Sequence, residues 1–376
     1  MKSITSGAWL GVVGGGQLGQ MFTHAAQKIG YKVCVFNPER NCPAGLIAEE
    51  VIAADFTDKN AINQFAEKVQ VATLEFENVP VETVLALESK IPFFPGSKAL
   101  TIAQDRIKEK TFFEEIGAPT TVFFPIRNLA ELKIASDQGE FPAVLKTARF
   151  GYDGKGQVKV NNSTELTAAW ESLQKKDCIL EAWVEFEKEI SIISARSSSG
   201  EVKHFRAFEN SHANHILDLT FSPAEISQET EAKAVALSEL LLVGLNYVGV
   251  LCIELFVRSD QSLLINEIAP RPHNSGHLTI DAVSTSQFEQ QVRAICNLQL
   301  GSTELLKPSA MINLLGDLWS SAAPDFNLLS KIENTYLHLY GKTEPRVGRK
   351  MGHITAIGTT VSEAVKKVVA ARKSLQ

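Results

Sequence analysis

The sequence predicts an α/β fold, α+β over its whole length, with an open parallel sheet at the N-terminus. A small flap domain, a central antiparallel sheet and a short β-rich C-terminal segment are expected to follow. Up to about residue 98, short apolar runs alternate with amphipathic segments, which is typical of a parallel sheet covered by helices. Across 251–269, two apolar runs flank the polar cluster RSDQS, which is typical of a buried β-hairpin. A chain of 376 residues is long enough for two or three domains.

Composition and charge favour a globular protein that binds small molecules. Hydrophobic residues make up 44% of the chain and charged residues 21%, and the net charge of −6 comes with no basic block, which argues against a nucleic-acid partner. The five cysteines form no C-x-x-C pair, so we expect a reducing compartment and no zinc or disulfide framework. No apolar run approaches a membrane span and the first residues do not resemble a signal peptide. We therefore expect a cytoplasmic protein with no membrane partner.

The N-terminal domain, predicted over 1–98, begins with an apolar strand that runs into the turn GGGQLGQM and a helix. Gly14, Gly16 and Gly19 fit the G-x-G-x-x-G pattern of a dinucleotide-binding turn, so an NAD(P)-dependent oxidoreductase must be considered. That interpretation requires an acidic residue at the end of the second strand, where this chain has Asn37. What remains is a helix N-terminus whose backbone N–H groups can bind an anion.

The alternation continues after the second strand. We expect a helix over 58–68, a strand over 71–79, a helix over 81–88 and a strand over 92–96. Ligands of open parallel sheets lie beyond the carboxyl ends of the strands, where Glu75 and Glu77 are expected. One of them is a candidate for substrate contact, although a glutamate at a strand end is more often only solvated.

A linker helix and a lid domain are predicted over 99–185, with the helix spanning about 99–116 and carrying Arg106. Lys146 lies on the apolar strand FPAVLKT, and the flap Gly151–Gln157 (GYDGKGQ) follows it. Its glycines allow backbone N–H groups to close over phosphates, although G-K-[ST] is absent and the flap is not a Walker A loop. A glycine-rich hairpin turn is the plainer alternative. A buried cation next to such a flap favours a phosphate site.

The strand CILEAWVEF ends beside further carboxylates. An adenine needs apolar walls and a backbone donor and acceptor for its edge, and the ribose needs a carboxylate. Glu181, Trp183 and Val184 at the strand end, followed by Glu189, offer all of these, so we predict that this segment binds adenosine.

The central domain, predicted over 186–302, contains the hairpin. If its turn centres immediately after Asp260, Glu254 lies directly opposite Glu267. Opposed residues of an antiparallel pair are about 5 Å apart and like charges there are destabilising, so a cation between them is favoured. Asn266 adds a neutral oxygen, and all-oxygen ligation suits Mg²⁺ or Mn²⁺ rather than Zn²⁺. The alternative is a different register, with both glutamates facing water.

Two further polar segments follow the hairpin. The loop APRPHNSGH brings a guanidinium, an imidazole, an amide and a hydroxyl next to the predicted metal site, a density of donors that a solvent-facing loop does not need. In the C-terminal segment, predicted over 303–376, the turn GKTEPRVGRKMGH holds the cations Lys342, Arg346, Arg349 and Lys350. A solvated loop is the alternative, but against an acidic background we favour a phosphate site.

The order of these motifs resembles that of the N5-carboxyaminoimidazole ribonucleotide synthetase family, which are ATP-grasp enzymes of purine biosynthesis. The matching segments cover nearly the whole chain and are GGGQLGQM, TLEFEN, QDRIKEK, VLKT, GYDGKGQ, LEAWV, IEL, NEIAPRPHNSGH, TSQFEQ, INLLG, YGK and GRKMGH. GYDGKGQ together with NEIAPRPHNSGH is close to diagnostic, whereas GGGQLG alone is not. The resemblance implies an ATP-grasp fold with a Rossmann-like pre-ATP-grasp domain at its N-terminus.

The resemblance also implies a carbon–nitrogen ligase. ATP and bicarbonate would form carboxyphosphate, which carboxylates 5-aminoimidazole ribonucleotide to N5-carboxyaminoimidazole ribonucleotide, leaving ADP and phosphate. Further implications are Mg²⁺ or Mn²⁺ as cofactor, ATP as co-substrate, a homodimer, and a separate mutase that takes the product.

Residue roles follow from the same resemblance. Those implied in catalysis are Asp153, Lys155, Arg271 and His273. Those implied in metal binding are Glu254 and Glu267. Those implied in ATP binding are Arg106, Lys146, Gly151, Tyr152, Asp153, Gly154, Lys155, Gly156, Gln157, Glu181, Ala182, Trp183, Val184, Glu189, His212, Asn266 and Glu267. Those implied in binding the aminoimidazole ribonucleotide are Gln17, Leu18, Glu75, Tyr152, Arg271, His273, Asn274, Ser275, Lys342 and Arg349.

Three alternatives stay open at this point. Another ATP-grasp purine enzyme, such as a formate-dependent glycinamide ribonucleotide transformylase, shares the carboxylate pair but is not expected to carry PRPHNSGH. An NAD(P)-dependent oxidoreductase is disfavoured by the missing acidic residue. A non-catalytic nucleotide sensor is expected to lose Glu254 or Glu267, and both are present.

Overall fold

The computed structural model describes residues 2–151, 154–320 and 322–375. A four-stranded parallel sheet forms the N-terminal part, in the order β3-β2-β1-β4. Its strands are β1 (Trp9–Val13), β2 (Lys32–Asn37), β3 (Glu50–Ala53) and β4 (Val71–Leu74). The helices that alternate with them are α1 (Gln17–Lys28), α2 (Lys59–Lys68) and α3 (Val81–Glu88). The predicted parallel sheet is confirmed, but the strand expected over 92–96 is reduced to a single bridge between Ala72 and Phe93.

The linker predicted as one helix over 99–116 is two helices, α4 (Ser97–Ala103) and α5 (Arg106–Glu115). The prediction of a single helix was wrong because Asp105 has an extended backbone and caps the second helix. Its side chain accepts hydrogen bonds from the N–H groups of Ile107 and Lys108 at 3.1 and 3.3 Å. The break places Arg106 in the first turn of α5.

A second four-stranded sheet is antiparallel and has the order β5-β8-β6-β7. Its strands are β5 (Phe123–Ile126), β6 (Ala143–Thr147), β7 (Gln157–Val160) and β8 (Cys178–Ala182). The helices α6 (Leu129–Gln138) and α7 (Ser163–Ser172) bury Leu132, Leu166 and Trp170 in one apolar cluster with this sheet. This unit corresponds to the predicted lid.

The third sheet has nine strands and continues into the C-terminal segment. Its strands are β9 (Lys188–Arg196), β10 (Val202–His204), β11 (Phe208–Ala213), β12 (Ile216–Ser222), β13 (Gly249–Val257), β14 (Leu263–Ala269), β15 (Ser309–Leu315), β16 (Thr335–Leu339) and β17 (Lys350–Ile357). The order is β14-β13-β9-β11-β12-β15-β17-β16, with β10 paired to β9. Its helices are α8 (Gln228–Gly244), α9 (Thr279–Ala282), α10 (Gln287–Ile295) and α11 (Val361–Ser374). The segments predicted as 186–302 and 303–376 therefore share one sheet.

The hairpin β13–β14 has the predicted opposition but not the predicted turn. Glu254 pairs with Glu267, which confirms their opposition. The turn, however, is closed by a bond from Arg258 N–H to the Ser262 carbonyl at 3.0 Å, so it centres on Asp260 itself. The two glutamates are still opposite each other because a β-bulge inserts one extra residue, Asn266, into β14 between Ile265 and Glu267.

Candidate active site

A cavity of about 390 Å³ lies between the N-terminal sheet, the start of α5 and the hairpin β13–β14. The residues predicted for the site that line it are Gln17, Leu18, Glu75, Arg106, Gly151, His212, Glu254, Glu267, Arg271, His273 and Asn274. Two further candidates from the sequence, Glu77 and Lys350, also line it. Lining residues without a predicted role include Asn78, Gln104, Glu109, His215 and Leu217. Residues from distant parts of the chain thus converge on one cavity.

The carboxylate pair of the hairpin is electrostatically strained. His273 Nε2 lies 3.1 Å from Glu254 Oε1, and Arg106 Nη1 donates to Glu267 Oε2 at 2.9 Å. Burial and the charge of Glu267 raise the pKa of Glu254 to about 8. Burial also acts to raise the pKa of Glu267, but Arg106 outweighs it and lowers that pKa. A cation between the two carboxylates would relieve this repulsion.

The oxygen ligands present suit a cation whose remaining ligands come from bound substrates. Among the described residues, no group of three or more His, Cys, Asp and Glu side chains could hold a metal by itself. Two carboxylates, with the Asn266 bulge beside them, match the way Mg²⁺ is commonly held, by one or two carboxylates together with substrate phosphates.

The loop after β14 turns its polar groups toward the cavity. Burial and the neighbouring Arg271 lower the pKa of His273 to about 3, so its imidazole is neutral. The Ser275 hydroxyl lies behind this ring, 2.9 Å from His273 Nδ1 and 2.7 Å from the Ser191 hydroxyl, and does not line the cavity. Asn274 has both side-chain polar atoms buried and, within the described part of the chain, without a hydrogen-bond partner. An unpaired buried amide at a cavity wall indicates a polar ligand.

Arg271 is held by Glu77, a carboxylate for which sequence alone supplied no definite role. The guanidinium donates from Nε and from Nη2 to the two Glu77 oxygens, the second bond being 2.9 Å long. Burial acts to raise the pKa of Glu77, but the charge of Arg271 outweighs it and holds the pKa at about 2. Arg271 is therefore fixed as a cation at the cavity wall.

At the glycine-rich turn, two backbone N–H groups bind the side chain of Glu75. The Glu75 carboxylate accepts from Gly16 N–H at 2.6 Å and from Gly19 N–H at 3.0 Å. The predicted anion at the turn is thus, at Gly16 and Gly19, a carboxylate of the protein itself. The same contact counts against a dinucleotide pyrophosphate at the turn and hence against an NAD(P)-dependent oxidoreductase.

A half-buried lysine, Lys146, and a buried carboxylate, Glu181, form an ion pair in the lid. Lys146 Nζ donates to Glu181 Oε2 at 3.0 Å, and Lys110 Nζ lies 3.6 Å from the same oxygen. Burial acts to raise the pKa of Glu181, but these two cations outweigh it and lower the pKa to about 2. Glu181 Oε1 is buried with no partner in the described residues. The pair presents cationic and acceptor groups at the end of β8.

The predicted adenine segment has one free backbone donor among the described residues. Ala182 N–H and Trp183 N–H donate to lid carbonyls at 2.9 and 3.0 Å, which leaves Val184 N–H. Beyond it, Glu189 accepts a hydrogen bond from His212 Nδ1. Burial acts to lower the pKa of His212, but this bond and the charge of Glu189 raise it.

The flap joins β6 to β7. Its residues Tyr152 and Asp153 lie outside the described part of the chain. Gly154 and Gly156 have φ of +78° and +73°, and a Cβ on Gly154 would meet the His215 ring at 2.6 Å. Lys155 lies exposed between these two glycines, and Gln157 Nε2 lies 3.4 Å from His215 Nδ1.

The basic C-terminal turn contributes Lys350, rather than Lys342 or Arg349, to the lining of the cavity. Lys342 Nζ donates to the Lys350 carbonyl at 2.7 Å, and Arg349 Nη1 donates to the Glu344 carbonyl at 2.7 Å. Burial and Arg349 lower the pKa of Lys342 to about 8, while Glu75 acts in the opposite direction. The turn is thus cationic and close enough to the cavity to interact with Glu75.

Three family models match successive parts of the chain. The chain matches the ribonucleotide synthetase preATP-grasp domain over residues 8–104, the ATP-grasp domain over 111–288 and the phosphoribosylaminoimidazole carboxylase C-terminal domain over 309–367. These matches confirm the ATP-grasp fold with its distinct N-terminal domain.

Individual relatives match along the full length. The N5-carboxyaminoimidazole ribonucleotide synthase of Bacillus subtilis (strain 168) is 42% identical over 365 residues, covering 97% of this chain and 95% of the relative. The Staphylococcus aureus N5-carboxyaminoimidazole synthetase solved with ADP has a TM-score of 0.92 at 35% identity, covering 99% of both chains. The Aspergillus clavatus enzyme solved with ADP and 5-aminoimidazole ribonucleotide has a TM-score of 0.89 at 30% identity, covering 98% of this chain and 99% of that one. The chain belongs to the N5-carboxyaminoimidazole ribonucleotide synthase family.

Proposed function

We propose that this protein carboxylates 5-aminoimidazole ribonucleotide with bicarbonate and ATP, giving N5-carboxyaminoimidazole ribonucleotide, ADP and phosphate in purine biosynthesis. The observation that carries the proposal is the opposed pair Glu254 and Glu267, placed in one cavity with Arg271, His273 and Asn274. Carboxylates suit a metal–nucleotide complex, whereas the guanidinium, imidazole and amide suit a second, polar substrate.

ATP is held, in this proposal, between the lid and the nine-stranded sheet. Val184 N–H meets the adenine edge, and Glu189 accepts from the ribose hydroxyls. Lys146 and Arg106 exchange their present carboxylate partners for phosphates of ATP, which carry more negative charge than a carboxylate. Lys155 in the flap covers the phosphates from the other side.

Glu254 and Glu267 would hold Mg²⁺ or Mn²⁺, with Asn266 beside them. Such a cation neutralises charge on the transferring phosphoryl group. Arg106, freed from Glu267 by the metal, adds a positive charge on the same side.

The second substrate lies on the N-terminal side of the cavity. Bicarbonate is a poor electrophile, and phosphorylation gives it a leaving group, so carboxyphosphate is the expected reactive species. Arg271, fixed by Glu77, stabilises the anionic carboxyl group, and the neutral His273 lies beside it against Glu254. The 5′-phosphate is assigned to the turn that holds Lys342 and Arg349.

Two features of the assembly complete the proposal. Members of the family that the sequence resembles are commonly dimeric, so we expect a homodimer, which sedimentation of the purified protein would check. We also expect the product to pass to a separate mutase.

An ADP-release assay tests the reaction. ADP should form rapidly only when ATP, bicarbonate and 5-aminoimidazole ribonucleotide are all present. Omission of the ribonucleotide or the bicarbonate should reduce the rate strongly. Faster ADP release with formate and glycinamide ribonucleotide would instead favour the formate-dependent transformylase.

A further inference from the structure

The opposition of Glu254 and Glu267 depends on one extra residue in β14. From Val257–Leu263 to Leu255–Ile265 the hairpin is in regular register, and one step further Glu254 would face Asn266. The bulge at Asn266 brings Glu267 opposite Glu254 instead. Because side chains alternate between the faces of a strand, a slip of one residue would turn Glu267 to the other face.

β14 is the outermost strand of the nine-stranded sheet, so carbonyls on its free edge have no ladder partner, and Lys110 of α5 binds two of them at the bulge. Its side chain is 1% exposed. Nζ donates to the Asn266 carbonyl at 2.7 Å, to the Ile265 carbonyl at 3.1 Å and to the Thr120 hydroxyl at 2.8 Å. An ammonium has three donors, so all three are used at this one place. The Thr120 hydroxyl in turn donates to the Ile265 carbonyl at 2.8 Å.

The same face of α5 binds the strand beyond the bulge. Glu109 Oε1 accepts from Ile268 N–H at 2.8 Å, and Arg106, one turn earlier, pairs with Glu267 itself. Residues three and four apart share one helix face, so Arg106, Glu109 and Lys110 approach β14 together. Consecutive residues of α5 therefore hold both flanks of the bulge.

We propose that Lys110 is a positioning residue for the metal site, which fixes the bulge at Asn266 and through it the placement of Glu267 against Glu254. It touches neither metal nor substrate and acts through the main chain. The proposal rests on the proposed role of the two glutamates in metal binding. Lys110 Nζ also lies 3.6 Å from Glu181 Oε2, so the test keeps ADP saturating for every variant to separate metal binding from nucleotide binding.

The test measures metal binding separately from turnover. In the presence of ADP, Mn²⁺ bound to the enzyme is followed by the loss of the free-ion electron paramagnetic resonance signal. Lys110→Met keeps the length of the side chain and removes its donors. We expect the Mn²⁺ dissociation constant to rise about tenfold or more, as for other residues that orient metal ligands. The KM for the aminoimidazole ribonucleotide should stay within about twofold, which corresponds to a change of less than about 0.4 kcal/mol.

Lys108→Met is the matched control, because Lys108 is an exposed lysine of the same helix, and it should leave Mn²⁺ binding unchanged. If Lys110→Met does not fold, as judged by circular dichroism, Thr120→Val decides the question. It removes only the hydroxyl shared by Lys110 and Ile265 and should still weaken Mn²⁺ several-fold. Parental Mn²⁺ affinity in the folded Lys110→Met variant, or failing that in Thr120→Val, would overturn the proposal. Failure of the parent to bind Mn²⁺ with ADP would instead overturn the metal assignment, and the positioning role with it.

Discussion

At the scale of single residues, loss of the Glu267 carboxylate should affect turnover far more than stability. Glu267 is 38% exposed and bonds Arg106, so Glu267→Gln should fold with a stability close to that of the parent. It should nevertheless lose nearly all turnover, because half of the carboxylate pair is gone. Turnover at saturating Mg²⁺ and thermal unfolding of the same sample check both expectations. Glu304→Gln, an exposed glutamate, is the control, and activity of Glu267→Gln within threefold of the parent would contradict the metal assignment.

A second prediction concerns pH and Lys342. Its pKa is lowered to about 8 by burial and Arg349, so the ammonium is present below pH 8 and is lost above it. Only the ammonium attracts a phosphate. We therefore expect kcat/KM for the ribonucleotide to fall by up to about tenfold between pH 7 and pH 9.5, since it reports groups of the free enzyme.

Lys342→Arg is the informative companion variant, because a guanidinium stays charged over that range. It should remove the alkaline fall in kcat/KM. The measurement is a pH series of steady-state rates at saturating ATP and bicarbonate. A parental profile that is flat to pH 9.5 would contradict the prediction. A fall that persists in Lys342→Arg would belong to another group, such as Glu254, whose pKa is also about 8.

The residues that sequence could identify are those whose neighbours along the chain share their chemistry. Arg271, His273 and Asn274 stand in one polar loop, and Glu254 and Glu267 stand at matching distances from one turn. Glu77 could be placed at a strand end but not paired with Arg271, which is 194 residues away. Glu109 and Lys110 could not be recognised, since on a helix with several charges nothing marks the buried ones.

At the scale of elements, the break between α4 and α5 shows the effect of a single capping residue. Asp105 caps the helix that begins with Arg106. Asp105→Ala should lose about 1 kcal/mol of unfolding free energy, as other cap removals do. It should also raise the KM for ATP, because fraying of this first turn displaces Arg106. Urea unfolding and ATP titration measure the two effects.

A matched control exists in α2, which Asp58 caps in the same way with bonds of 2.8 and 3.1 Å to the N–H groups of Asn60 and Ala61. Asp58→Ala should lose a similar free energy and leave the KM for ATP unchanged. An equal rise of the ATP KM in both variants would mean that general destabilisation, rather than Arg106, is responsible.

The hairpin illustrates what patterns leave undetermined in an element. Apolar runs and a polar turn located both strands, and the alternation supported a pair of glutamates on one face. The turn was nevertheless misplaced by half a residue, and the bulge at Asn266 compensates for it. Bulges depend on contacts from elsewhere in the fold, here from α5, and therefore leave no reliable mark in the strand's own sequence.

At the scale of the whole molecule, the predicted domains are not independent units. The apolar cluster of the N-terminal sheet includes Phe288, Val292 and Ile295 of α10. A buried polar contact at this boundary is made by Gln291, which is 1% exposed. Its amide accepts from Val250 N–H and donates to the Thr73 hydroxyl at 2.8 Å, linking β13 to β4.

Removing that amide should destabilise the protein as a whole. Gln291→Leu leaves Val250 N–H buried without its acceptor and removes the donor to the Thr73 hydroxyl, which should cost about 1–3 kcal/mol. Urea unfolding followed by circular dichroism and by tryptophan fluorescence should still give one coincident transition, because the apolar cluster is shared. Gln299→Leu, in an exposed loop, is the control. Separate transitions for the two signals would contradict the shared core.

The overall architecture was the most predictable level, because strand and helix periodicities repeat over many residues and errors at single ends do not change the topology. The continuation of the central sheet into β15–β17 was not predictable, since pairing between β12 and β15 joins segments about ninety residues apart.

The carboxylate at the glycine-rich turn has a consequence for selectivity inside a cell. Dinucleotides and free phosphate are abundant there, and a vacant helix N-terminus of this shape would trap them. Glu75 competes with such anions for the N–H groups of Gly16 and Gly19, and its effective concentration is high because it belongs to the same folded chain. An anion from outside would have to displace Glu75 from Gly16 and Gly19, which leaves the cationic groups across the cavity as the main attraction for a charged substrate.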